Sequence, residues 1–282
     1  MTSGEPASFK GRSWVRTVEL AVFCLLVALG ATTVVSFAWA RDYAEPRVTL
    51  MGADRGISAL VTAGPARVLI LNGTDSAALG NAVSKSRHPG LDRIDLVIAS
   101  GNASAAGLVA QAVAMLDPRS VMTVGSTLSL DGTNRTPRKV IDRSTEIEMP
   151  DGVVITIDVW PAADGENDDV TWSATVHRGA ASVYLVSDRE ELMQDSMPER
   201  VDITVFGRGA PADDTPLPIT RVIVVAGESI SGPDLRSIAN DSLGPDVETK
   251  RVFAGETLRI ALDPTGITTV SGAVPASSPV AS

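Results

Sequence analysis

A junction between an apolar run and a helical pattern lies at Ile94–Leu116, where the sequence reads IDLVIASGNASAAGLVAQAVAML. The short apolar run followed by apolar residues at helical spacing is typical of a strand, a turn and a helix. Loops that connect such elements often carry catalytic or binding side chains. Here the turn from Ser100 to Gly107 contains only serine, glycine, asparagine and alanine. Its side chains therefore include no carboxylate, imidazole or thiolate.

The backbone of this turn offers a different chemistry. The amides of Gly101, Asn102 and Ser104 stand at the predicted start of a helix, where N–H groups can bind a small anion without a charged side chain. The alternative interpretation is structural, with small residues filling the turn and Ser104 capping the helix. Because few basic residues lie nearby in the sequence, we favour the structural interpretation.

Metal-binding side chains are scarce. The chain has two histidines, His88 and His177, and this number excludes a binuclear centre of five or more imidazoles. A lone histidine is usually structural, since a transition-metal site needs two or three further donors. Asp188 with Asp54, or with the glutamates at 190 and 191, has the oxygen donors that hard cations prefer. Asp188 is equally suited to cap a helix that begins at Arg189, which is the interpretation we favour.

The elements that position these residues are mostly strands. Antiparallel strand pairs alternate with β-α-β steps, and this order predicts two sheets covered by helices, not one doubly wound parallel sheet. Helical spacing occurs near 75–87, 104–116, 189–196 and 233–240. The predicted strands are 47–51, 57–63, 66–72, 94–100, 145–149, 153–160, 169–177, 180–187, 202–206, 220–226, 250–254 and 257–262.

An apolar segment, residues 18–40, follows a basic N-terminus, residues 1–17. It holds 21 uncharged residues from Leu20 to Ala40, and about 20 are enough to cross a bilayer as a helix. The basic residues precede the span, which places the N-terminus in the cytoplasm and the rest of the chain outside. We predict an uncleaved signal-anchor helix in the cell membrane. The alternative is cleavage after Ala40 and secretion, because Ala38-Trp39-Ala40 has the A-x-A form of a signal-peptidase site.

The exported part is acidic. Residues 41–282 keep 21 of the 24 basic and 32 of the 34 acidic groups, a net charge of −11. Such a surface repels nucleic-acid phosphates, so we expect no nucleic-acid partner. The final residues, 272–282, are small or proline and are predicted to be a disordered tail.

The order of segments over residues 47–271 resembles the metallo-β-lactamase fold, and within that superfamily the C-terminal domain of ComEC-type competence proteins. Part of this resemblance lies in the first strand pair with its glycine-containing turn (47–61) and in the strand that ends at Asn72-Gly73. The junction after Ser100 carries another part. The resemblance implies an α+β fold, an αββα four-layer sandwich preceded by one N-terminal transmembrane helix.

The family's metal motif is a serine or threonine followed by His-x-His-x-Asp-His, and in this sequence it falls on the turn after residue 99. The serine is kept, but glycine or alanine stands at each ligand position. Neither can donate a lone pair to zinc. The corresponding positions are Ser100, Gly101, Ala103, Ala105 and Ala106.

Two more family positions lie further along the chain. Asp188 falls on the family's metal-bridging aspartate, and Gly207 falls on a later turn that carries a ligand in the family. The resemblance therefore implies the family's fold without its metal centre. We expect no metal, no other cofactor and no catalytic residue.

Together these features predict a membrane-anchored, extracytoplasmic and non-catalytic protein, a scaffold or protein-binding module of the cell envelope. Its expected partners are the membrane, through the N-terminal helix, and a protein of the envelope. Two alternatives remain open. One is a metal-dependent hydrolase or nuclease with an altered carboxylate site around Asp188. The other is a module that binds a small anion at the turn Gly101–Ser104.

Overall fold

The computed structural model describes residues 45–53, 56–72, 93–128, 136–161, 170–186, 197–206, 217–226 and 247–271. All of them belong to the second of two compact units into which the chain divides, Glu45–Ser282. The described residues contain one α-helix, α1, at Ala103–Leu116, and a 3₁₀ turn at Pro150–Gly152. The strands are β1 Arg47–Ala53, β2 Gly56–Ala63, β3 Ala66–Leu71, β4 Leu96–Ser100, β5 Ser120–Val124, β6 Arg138–Ile141, β7 Thr145–Glu148, β8 Val153–Pro161, β9 Val170–Arg178, β10 Ala181–Val186, β11 Ile203–Phe206, β12 Val222–Ala226, β13 Glu248–Val252, β14 Thr257–Asp263 and β15 Gly266–Ser271.

The strands form two mixed sheets. Sheet A has eight strands in the order β15-β14-β1-β2-β3-β4-β5-β6, and sheet B has seven in the order β13-β12-β11-β10-β9-β8-β7. In sheet A, β3 to β6 are parallel and the other neighbours are antiparallel. In sheet B, β10 to β13 are parallel and the rest antiparallel. The prediction of two sheets in place of one doubly wound sheet is confirmed.

The main core lies between the sheets. Successive side chains of a strand point to opposite faces, so Leu50 on β1 and Leu185 on β10 face this core while their neighbours face outward. A second core lies between the outer face of sheet A and α1, where Val97 packs with Val109. Strands such as LVIAS are nearly all apolar because both of their faces are buried. These two cores fix the position of the turn between β4 and α1.

Every predicted strand is present, with ends shifted by a few residues, and the helix predicted at 104–116 is confirmed as α1. Three strands were missed, namely β5, β6 and β15. β6 begins with two charged residues, so its local pattern of alternating apolar residues is weak. The helices predicted near 75–87, 189–196 and 233–240 lie outside the described residues.

The predicted anchor at 18–40 and the predicted tail at 272–282 also lie outside the described residues. Within the part of the chain that the structure covers, no helix combines the length and the apolar character that crossing a bilayer requires.

The two ends of the sandwich differ in the chain segments that they contain. The strand-end edge holds the C-terminal ends of β1, β3, β4 and β5 in sheet A and of β10 to β13 in sheet B. The hairpin edge is the opposite end, with the tight turns at 64–65, 150–152, 179–180 and 264–265. In sandwiches with parallel strands, ligands usually bind outside the carboxyl ends of those strands. A ligand-binding site would therefore be expected at the strand-end edge.

Candidate functional site

The turn after β4 joins the strand-end edge to α1. Asn102 has extended backbone angles (φ −75°, ψ 159°), and its side-chain oxygen accepts a hydrogen bond from the amide of Ala105 at 3.1 Å. This is the geometry of a helix N-cap. The prediction that Ser104 caps the helix is wrong. The helix begins one residue earlier than the pattern indicated, and the asparagine side chain reaches the first free amide.

Gly101 is held by backbone contacts on both sides. Its amide donates to the carbonyl of Val124 at 2.8 Å, and its carbonyl accepts from the hydroxyl of Ser126 at 2.7 Å. A Cβ atom built on Gly101 would lie 2.6 Å from the amide nitrogen of Ser126 and closer still to the Ser126 carbonyl oxygen. No side chain of any kind fits at this position with this backbone.

The remaining side chains of the motif are either apolar or hydrogen-bonded within the turn. The hydroxyl of Ser100 accepts a hydrogen bond from the amide of Asn102 at 3.4 Å. Ala105 is buried, and Ala106 packs against the core beneath α1. Ala103 and Ser104 form the first turn of the helix. Asp188 and Gly207, the other two positions that the resemblance predicts for the family's site, lie outside the described residues.

The amides that an anion would need are partly used within the protein. The amide of Gly101 donates to the carbonyl of Val124, and the amide of Asn102 donates to the hydroxyl of Ser100. The amide of Ala105 donates to Asn102, which caps the helix.

Asn72 connects the two sheets at the same edge. Its side-chain nitrogen donates to the carbonyl of Val186, at the end of β10, over 3.0 Å. Its backbone amide donates to the hydroxyl of Ser58 at 3.2 Å. Sequence reasoning had matched Asn72 only to the family's turn, and it missed this bond across the sandwich. The available signal was an asparagine placed directly after a buried strand.

Two more glycines complete the closure of the strand-end edge. Gly52, near the end of β1, donates to the carbonyl of Glu256 at 3.1 Å and accepts from the amide of Gly255 at 3.0 Å. A Cβ on Gly52 would lie 2.8 Å from the carbonyl oxygen of Val252 in sheet B. Gly125, just after β5, has a φ of +89°, and its Cβ would lie 2.8 Å from the side chain of Val170. At all three glycines, neighbouring atoms occupy the space that a ligand side chain would need.

The donor set of the described residues does not fit a transition metal. No group of three or more histidine, cysteine, aspartate or glutamate side chains comes together within them. His177 lies near the end of β9, beside Arg178 at the hairpin edge, so it is at the opposite end of the sandwich from Gly101. His88 and Asp54 lie outside the described residues. Around the Gly101 turn, the described residues supply no cluster of metal-binding side chains and leave no room for a side chain at residue 101.

Three buried hydroxyls lie on the outer face of sheet B, away from this edge. Ser173, Tyr184 and Thr204 are fully buried, and none of them meets hydrogen-bond geometry with a partner. Burial raises the pKa of Tyr184 to about 12, the nearby hydroxyl of Ser173 lowers it in part, and the charge of Asp158 raises it further. Tyr184 therefore keeps its proton at neutral pH and does not supply a base.

Comparisons with known proteins give the following results. No protein-family model matches the sequence, and no curated protein matches it. Among solved structures, Igni18, a metallo hydrolase from the archaeon Ignicoccus hospitalis, has 12% sequence identity over 77% of this chain and 100% of that chain, with a TM-score of 0.48. An isothiocyanate hydrolase from Delia radicum gut bacteria has 15% identity over 74% of this chain and 97% of that chain, with a TM-score of 0.46.

A third similar structure is zinc-bound PqqB from Methylobacterium extorquens, with 13% identity over 74% of this chain and 88% of that chain, and a TM-score of 0.44. Likeness of this degree concerns the course of the backbone. It carries no argument about the activity, the metal or the substrate of this chain, so the function has to be argued from the residues described above.

Proposed function

We propose that this chain is a membrane-anchored, extracytoplasmic protein of metallo-β-lactamase-like and ComEC-like architecture that does not catalyse a reaction. In this proposal it acts as a scaffold or protein-binding module of the cell envelope. The observation that supports it most directly is the closed turn at Gly101. A side chain at that position would collide with the backbone of Ser126, and this lack of room for a metal-binding side chain supports the non-catalytic role.

The metal content of the purified full chain, kept in detergent, tests the non-catalytic role. After dialysis against zinc and then against manganese, we expect substoichiometric metal and no cleavage of a phosphodiester substrate. Zinc or manganese bound at about one ion per chain, together with hydrolysis that Asp188→Ala abolishes, would overturn the proposal. That result would favour the alternative, a hydrolase or nuclease built on the carboxylate of Asp188 and its neighbours.

A thermal-shift experiment separates the proposal from the anion-binding alternative. An anion held by the turn Gly101–Ser104 would raise the melting temperature with concentration, because a ligand that binds only the folded state stabilises it. We expect no rise with inorganic phosphate or sulfate beyond that caused by the same ionic strength of chloride. A specific rise that is lost in Asn102→Ala would favour the anion site.

The anchor is tested by protein chemistry on membranes. We expect an intact N-terminus by mass spectrometry and retention in the membrane after alkaline carbonate extraction. A cysteine placed at the exposed residue Ala180, in a Cys24→Ser background, should react with a membrane-impermeant maleimide in intact cells. A mature chain that begins after Ala40 and is recovered in the medium would instead support secretion.

A further inference from the structure

One side of the sandwich ends in two strands that follow each other in the chain. β6 is the last strand of sheet A and β7 is the last strand of sheet B. Among the described strands, β6 pairs only with β5, and β7 pairs only with β8. The turn at 142–144 connects them at the strand-end edge. Both sheets therefore present their outermost strand on the same side, which we call the β6/β7 side.

The two strands carry opposite charges. Arg138 and Lys139 are exposed on β6, and Glu146 and Glu148 are exposed on β7. The ion pairs within the described part of the chain involve other residues, and none of these four side chains has a hydrogen bond or ion pair with another described residue. A basic strand and an acidic strand thus lie next to each other without neutralising one another.

Strand alternation places these charges on definite faces. Ile141 of β6 is buried in the core between the sheets, and Ile147 of β7 packs against that core. Because side chains alternate along a strand, Arg138 lies on the outer face of sheet A, whereas Glu146 and Glu148 lie on the outer face of sheet B. Ile141 and Ile147 point toward the space between the sheets.

We propose that the β6/β7 side pairs with the same side of a second copy of this chain. β6 of each copy lies antiparallel to β7 of the other, about a two-fold axis parallel to the strands. β6 runs toward the strand-end edge and β7 runs away from it. Rotation about an axis parallel to the strands keeps their direction, so β6 of one copy and β7 of the other run antiparallel. The rotation also continues sheet A of one copy into sheet B of the other. Each interface strand then completes its free row of backbone hydrogen bonds.

The charges select this arrangement over the other possible one. In the proposed pair, Arg138 lies on the same face as Glu146 and Glu148 of the second copy, where opposite charges on neighbouring strands stabilise pairing. A two-fold axis perpendicular to the strands would instead bring β6 against β6. Both paired strands would then carry basic residues and no carboxylate, and like charges on neighbouring strands are destabilising.

A simpler explanation of charged end strands is that they keep monomers from pairing through their edges. That explanation requires charge of either sign, but it does not require opposite signs on the two strands of one side. The interface is small, because each strand has four residues. We therefore expect a weak dimer whose population depends on tethering in one membrane, since tethering raises the effective concentration. In this respect the pairing rests on the proposed anchor. Both copies also begin β1 at the same end of the pair, as two chains held in one membrane require.

Cross-linking of the full chain in liposomes tests the pairing. Ser144, exposed in the turn between β6 and β7, lies near the proposed axis, so Ser144→Cys in a Cys24→Ser background should form a disulfide between copies under mild oxidation. Ala180→Cys is the matched control, because Ala180 is exposed at the hairpin edge. We expect a dimer from the first variant, lowered by salt, and little from the second.

Charge-reversal variants test whether opposite charges on β6 and β7 drive the pairing. The pair R138E/K139E makes both strands acidic, and E146K/E148K makes both basic, so each should lower cross-linking about tenfold through repeated like-charge pairs. Mixing the two reversed chains in equal amounts should restore it, because each acidic strand then meets a basic one. Equal cross-linking in all variants, or no recovery on mixing, would overturn the pairing. That outcome would leave the non-catalytic role standing, since metal content tests it separately.

Discussion

The two ends of the sandwich are closed in different ways. At the hairpin edge, a charged side chain ties the sheets together, since Arg178 donates to the carbonyl of Asp151 at 2.9 Å and to that of Leu262 at 2.8 Å. At the strand-end edge, backbone meets backbone at Gly101 and Gly52, and the side chain of Asn72 donates across to the other sheet. Close contact between the sheets is expected at the hairpin edge, because tight turns connect the strands there.

Close contact is less expected at the strand-end edge. The carboxyl ends of parallel strands are where side chains commonly surround a ligand. In this protein the glycines let neighbouring turns approach until no Cβ fits between them. The comparison shows that close packing at the strand-end edge depends on residues without a side chain, because a Cβ at residue 101 or 52 would overlap neighbouring backbone atoms.

The largest expected effect is at Gly101. Gly101→Ala places a methyl group against the backbone of Ser126, and we expect a loss of about 3 kcal/mol in the free energy of unfolding, typical of severe overpacking. Urea denaturation of the full chain in detergent measures it. Gly107→Ala is the control, because Gly107 lies in α1 with open space around it and should stabilise the protein by about 0.5–1 kcal/mol. Equal stability of Gly101→Ala and the wild type would show that the strand-end edge is not closed.

A smaller effect is expected at the hairpin edge. Arg178→Ala removes two hydrogen bonds from a charged group to backbone carbonyls, and we expect a loss of about 2 kcal/mol because the site is partly exposed. Arg178→Lys keeps the charge but lacks the planar fork that reaches both carbonyls, so it should recover less than half of that loss. Full stability in the lysine variant, measured by the same denaturation, would mean that charge alone closes this edge.

The smallest effect at neutral pH is expected between the two edges, at Tyr184. Tyr184→Phe removes a buried hydroxyl that has no hydrogen-bond partner, so the free energy of unfolding should change by less than about 1 kcal/mol. The pH dependence is more informative. The folded pKa is about 12 and the ordinary value is 10.0, so the unfolded chain loses this proton first. Wild-type stability should then fall between pH 10 and 12, and the phenylalanine variant should lack this part of the slope. Identical slopes would contradict the burial of Tyr184.

Most of the strands were predictable because a strand with a buried face has a local pattern of apolar residues. Alternation in GISALVTA and continuous apolar runs such as LVIAS indicate strands without any knowledge of their neighbours. β5 and β6 were not predictable in the same way. Their pairing with β4 and with each other depends on contacts made by the sheet as a whole, and their own residues carry a weak pattern.

The candidate site was only partly predictable. The absence of ligand side chains at residues 101, 103, 105 and 106 can be read from the sequence, and so can the position of the turn. The cap was predicted at Ser104 and is formed by Asn102. Both residues are good caps, so the choice depended on where the strand ended and the helix could begin.

The sequence by itself determined which chemistry is missing, because glycine and alanine lack donor atoms in any fold. Only the tertiary structure decided whether the turn leaves room for a side chain at residue 101. Ser126 and Gly101 are 25 residues apart in the chain, and Asn72 and Val186 are 114 apart. Contacts over such separations form when two sheets pack together, and no local pattern of side chains records them.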